Sequence, residues 1–156
     1  MSETLGSIRI PKKLVENDRE IMEILEKNFG NFQRGKPSHS CKFAEQDGIW
    51  RFTCPYAKHG EFAQLEIHLR RQGIPYNRFT GSHDDEISHM VIYRPKGQIH
   101  PRGVDISFPC LNESEFFVET SVLKGLLDLP AEELKKSLAE IIKKREVVGL
   151  ELERYA

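Results

Sequence analysis

Asp47-Gly48 constrains this chain more than any other feature, because it stands between two short runs that carry Cys41 and Phe43 on one side and Trp50, Phe52 and Cys54 on the other. A two-residue hairpin turn of type I′ needs positive φ at both central residues, and Asp-Gly tolerates this. With those two residues as the turn, Gln46 faces Ile49, Phe43 faces Phe52, and Cys41 faces Cys54. Counted outward from the turn, the Phe and Cys pairs fall at non-hydrogen-bonded positions, where side chains approach most closely. Trp50, Phe52 and Cys54 then share one face with Cys41 and Phe43. That face is too apolar for water and requires a covering layer.

Helices able to supply the layer are legible on both sides of the hairpin. Leu14, Ile21, Leu25 and Phe29 recur at helical spacing, with Glu16, Glu20, Glu23 and Lys27 opposite, predicting an amphipathic helix over roughly 12–29 that stops at Gly30. From Gly60 to Gly73 a second helix is predicted, with Phe62, Leu65 and Leu69 inward and Glu66, Arg70 and Arg71 outward; Gly73 suits its left-handed cap. Strands are expected at 74–79, 89–94, 104–108 and 116–118, and a short helix at 121–127. Pro130 opens a last helix with Leu134, Leu138, Ile141 and Ile142 on one side, and 147–152 reads as a final strand. These elements make an α+β fold, a single antiparallel or mixed sheet with helices packed mainly on one face. The expected organisation is one domain over 1–156: an N-terminal helix and linker (1–36), a hairpin-helix-strand core (37–109), and C-terminal strand and helices (110–156).

Composition limits the partners. With 23 Lys+Arg against 24 Asp+Glu the net charge is −1, which lacks the broad positive field of non-specific nucleic-acid binding. No stretch approaches the run of 18 or more apolar residues of a membrane span, so no membrane partner is expected. The first residues have no apolar run of the signal-peptide kind. Three cysteines are poor material for a secreted disulfide framework. The expected compartment is the cytoplasm.

Three constellations have chemical potential. His39, Cys41, Cys54 and His59 bracket the hairpin and form a set able to hold a tetrahedral zinc. Their spacing is not that of a common zinc finger, and core packing or a cross-strand disulfide explains the cysteines as well. His83, Asp84, Asp85 and Glu86, with His89 nearby, could bind a divalent metal for hydrolysis, but an acidic turn between two strands is the simpler reading. Arg94, Lys96, His100 and Arg102 lie in a loop stiffened by Pro95 and Pro101. With Arg70, Arg71 and Arg78 they would form a wider basic face suited to phosphate or an acidic surface, if the fold gathers them. No G-x-S-x-G elbow, P-loop or G-x-G-x-x-G occurs, and no catalytic residue is assigned.

The run from Cys54 through Gly60-Glu61-Phe62 and Leu65-Glu66, then Gly73-Ile74-Pro75-Tyr76-Asn77-Arg78 and Tyr93-Arg94-Pro95, resembles a group of small, functionally uncharacterised proteins found on phages, plasmids and integrated elements of bacteria. The resemblance covers roughly 54–127. It implies a mobile-element accessory protein and carries over no activity, cofactor or site residue. The motif also has a plain folding explanation in a helix start, two packing residues and a turn into a strand.

The functional expectation is therefore a small non-enzymatic protein that binds another macromolecule, a protein before a nucleic acid. The alternatives are a nucleic-acid module using the basic loop 94–102 and, behind it, a metal-dependent enzyme. The sequence leaves the oligomeric state open.

Overall fold

The computed structural model describes residues 3–38, 40–58, 62–81, 87–110, 120–148 and 152–156. The chain begins with strand β1 (Glu3–Pro11), then two short helices, α1 (Lys12–Val15) and α2 (Arg19–Phe29). A two-stranded ribbon, β2 (Gly30–Asn31) with β3 (Lys36–Pro37), leads into the hairpin β4 (Lys42–Gln46) and β5 (Ile49–Lys58). Helix α3 (Ala63–Arg71) follows, then β6 (Tyr76–Thr80), β7 (His89–Arg94) and β8 (Val104–Pro109). The described chain closes with α4 (Thr120–Leu127), α5 (Ala131–Val148) and a 3-10 turn at Leu152–Tyr155.

The main sheet has six strands in the order β4-β5-β1-β6-β7-β8, and all its pairings are antiparallel. The hairpin forms with the expected register, Gln46 opposite Ile49 and Phe43 opposite Phe52, with φ of 53° at Asp47 and 75° at Gly48. The fold is thus α+β, but a second small sheet accompanies the large one, so the single-sheet expectation holds only in part.

One face of the sheet packs on α2 and α3. Ile8, Ile10, Trp50, Phe52, Cys54, Tyr76 and Val91 from the strands join Ile21, Leu25 and Phe29 of α2 and Leu65 and Leu69 of α3 in one core. Phe29 stacks on Phe52 with ring centroids 4.4 Å apart, and Phe32 sits edge-on to both Trp50 and Phe52. The opposite face carries a smaller cluster of Phe79, Met90, Ile92 and Cys110, with Val104, Ile106 and Phe108 packed against it.

Several expectations need correction. Residues 3–11 lie in the segment expected to hold only a helix and linker, with no strand. They form a central strand, with Ile8 and Ile10 fully buried. The helix expected over 12–29 is broken at 16–18, and Asp18 caps the second piece by accepting from the Ile21 amide at 3.1 Å. The break rotates the first turn, so Val15 is buried and Leu14 is 37% exposed. Glu66, expected outside, is buried. Residues 147–148 belong to α5, and 152–155 form a 3-10 turn in place of the expected strand. The strand expected at 116–118 lies outside the described residues. Among the described residues no helix is long and apolar enough to cross a membrane.

Candidate binding site beneath the C-terminal segment

The sheet face remote from α2 and α3 is polar where β1, β6 and β7 meet. Alternation places Arg9 there, because Ile8 and Ile10 point the other way, and the ladder puts Arg9 beside Asn77 and Arg51. Asn77 in turn faces Ile92, and Arg94 lies two residues further along β7 on the same side. The loop after β7 folds over this end. The carbonyl of His100 accepts from the amides of Gly97 and Gly103, at 3.1 and 2.9 Å, and His100 is buried.

Residues 152–156 lie across this surface. Leu152 is buried, Glu153 forms an ion pair with Arg9, and the Tyr155 ring stacks on that of His100 with centroids 6.0 Å apart. Lys13 Nζ donates to the carbonyl of Ala156 at 2.6 Å. Gly48 at the hairpin tip serves twice, since its φ suits the turn and a Cβ there would stand 2.8 Å from the Ala156 side chain. The tail therefore touches β1, α1, the β4–β5 turn and the β7–β8 loop.

The contact is only partly matched. Arg94 is fully buried and donates to the carbonyls of Tyr76 and Tyr93 at 3.0 and 2.8 Å. Burial brings its pKa down to about 10, so it stays charged at neutral pH. Burial, with the nearby positive charges of Arg94 and Arg154, holds His100 below its ordinary value, and burial raises Tyr155. Among the described residues, His100 Nε2, Tyr155 Oη and Asn77 Oδ1 are buried without a hydrogen-bond partner. Each such atom costs about 1–3 kcal/mol when it gives up water for nothing.

The six cations and one histidine anticipated as a basic face are not gathered on one surface. Arg94 joins the cleft just described, together with His100. Arg78 points to the opposite face, where it donates to Glu66 at 2.8 Å in a buried pair and to Thr80. Arg70 lies against the rings of Tyr76 and Tyr93, 5.6 and 4.9 Å from their centroids, and pairs with Asp105. The Asp105 bond raises the Arg70 pKa further. Arg71, Lys96 and Arg102 are exposed.

No family model, curated protein or solved structure matches the chain. The site therefore stands on its geometry alone.

Cys41 and Cys54, two of the four residues considered for zinc, are joined by a disulfide that spans the hairpin. In this state their sulfurs are committed to each other. His39 and His59, the other two, lie outside the described residues, as do His83, Asp84, Asp85 and Glu86. His89 is exposed, with Nδ1 2.8 Å from the Ile87 carbonyl. Among the described residues no three His, Cys, Asp or Glu side chains converge as a metal site. Sequence reasoning picked out Arg94 and His100 but missed Arg9, Asn77, Glu153 and Tyr155. The alternation Ser7-Ile8-Arg9-Ile10 was the available signal for a strand with Arg9 on its polar side.

Proposed function

We propose that the protein is a non-enzymatic interaction module that binds another protein through the α4–α5 helix pair. The observation that supports this reading is the exposure of large apolar side chains on both helices. Leu127 is 81% exposed and Ile142 56%, and Val122, Leu123 and Leu138 are also open. Only Leu126 of α4 is buried. Single exposed apolar residues are ordinary, but here five fall on two consecutive helices that bury little else among the described residues, and this concentration supports a binding role. The polar residues beside them carry both signs, with Glu132, Glu133 and Glu140 among Lys135, Lys136 and Lys143. Mixed charge suits a protein surface better than the polyanion of a nucleic acid or the anionic headgroups of a bilayer.

The test is a pull-down from the native host at moderate salt, run with and without nuclease, comparing the wild-type chain with Leu127→Glu and Ile142→Glu. A stoichiometric protein retained by wild type and lost by both variants supports the reading. Enriched nucleic acid that is lost when Lys96 and Arg102 become Ala would overturn it and favour the loop 94–102 instead.

A further inference from the structure

We propose that the cleft beneath residues 152–156 is a peptide-recognition site for an acidic, tyrosine-bearing segment of another protein, filled in cis by the chain's own tail. The bound tail displays the chemistry the site accepts. A carboxylate, that of Glu153, meets the Arg9 guanidinium. Two residues on, an aromatic ring lies on the imidazole of His100 beside the Arg94 charge. A backbone carbonyl takes the Lys13 ammonium, and a glycine at the turn leaves room for the chain to pass. Cations from β1, α1 and β7 thus face one short 3-10 segment with a glutamate-x-tyrosine pattern, and charge complementarity of this kind selects acidic partners.

The same contact is poorly finished. His100 is nine-tenths buried, and its Nε2 meets no acceptor or donor among the described residues; Tyr155 Oη and Asn77 Oδ1 share that state. The Arg9–Glu153 pair is about one-third exposed on both sides, where an ion pair gives little net stability. The cis occupant wins chiefly because it is tethered, at an effective concentration of order millimolar. A foreign segment that pairs with His100 Nε2 and Asn77 Oδ1, and so releases Tyr155 Oη to water, outcompetes it. This cleft is separate from the α4–α5 surface, so either assignment can fail alone.

The probe is a synthetic peptide of the tail sequence, Leu-Glu-Arg-Tyr-Ala, titrated calorimetrically into the full-length chain and into the full-length Glu153→Ala/Tyr155→Ala variant. The variant is expected to bind at least ten-fold more tightly than wild type, and adding Arg9→Ala should abolish the gain. Absence of saturable binding to a variant that still melts cooperatively would overturn the proposal. If that variant does not fold, hydrogen exchange on the wild-type chain decides. Excess peptide should speed exchange at 152–156 while β1 and β7 stay protected, and unchanged exchange overturns the proposal. A wild-type dimer that dissociates in the variant would assign the cleft to a second copy's tail, which also overturns it.

Discussion

At the scale of single residues, the buried Glu66–Arg78 pair is the most consequential polar contact in the main core. Glu66 accepts from Arg78 Nε at 2.8 Å and from the Phe62 amide at 3.2 Å, and both charged side chains are about nine-tenths buried. Removing one partner strands a charge away from water, so Glu66→Ala should cost about 3–5 kcal/mol in urea unfolding. The double variant Glu66→Ala/Arg78→Met should cost clearly less than the sum of its singles, because no charge is left behind. Additive singles would mean that the pair is not coupled. His100 makes a pH prediction. Its folded pKa lies below the unfolded value of 6.5, so below pH 6.5 the unfolded chain takes up more protons. Stability from the neutral imidazole is complete above that pH and is lost as pH falls through the folded value. The melting midpoint should therefore drop on acidification from pH 6.5, and His100→Gln should flatten that part of the profile. An identical acid limb in the variant would assign the loss to other groups.

At the scale of elements, local chemistry and distant partners divide what the sequence discloses. The hairpin was legible because its turn pair, register and apolar face all lie within fifteen residues, and Asp47 and Gly48 do adopt positive φ. Helix α3 was legible from its stripe and from Gly73, whose φ is 66°. Glu66 was misread because Arg78, the residue that lets it be buried, comes from a strand twelve positions on. No local pattern announces that pairing. The first strand was missed because its alternation is short, interrupted by Gly6, and followed at once by a helical pattern. Two substitutions separate the readings. Ile8→Ala should cost about 2–5 kcal/mol, as for a fully buried aliphatic side chain. Leu14→Ala, at a side chain 37% exposed, should stay within about 0.5 kcal/mol. Equal and large losses in denaturant titrations would restore Leu14 to a continuous buried helix stripe. Of the candidate site, the loop half was visible as a basic motif. The tail half was not, since Glu153 and Tyr155 gain meaning only when the chain end returns to Arg9 and His100.

At the scale of the whole molecule, β1 joins the sheet's two sequence-local units. On one side is the β4–β5 hairpin; on the other is the β6-β7-β8 meander. Each can form from neighbouring chain, but among the described residues their ladders are joined through β1, which pairs Ile8 with Phe52 on one flank and with Arg78 on the other. Those contacts span 44 and 70 positions, so their loop-closure entropy must be met before burial rewards it, and folding through them is slow. The same strand supplies Ile8 and Ile10 to the core under α2 and α3, and Arg9 to the cleft on the reverse face. Deleting residues 2–11 should therefore do more than remove one strand. It exposes facing ladder groups on β5 and β6, opens the main core, and frees the tail from Arg9 at once. The expected result is loss of the cooperative thermal transition and of the near-ultraviolet signal of Trp50, with some helical signal retained. A deletion chain that still melts sharply would show that β5 and β6 can pair directly, and that the N-terminal strand serves the cleft more than the fold.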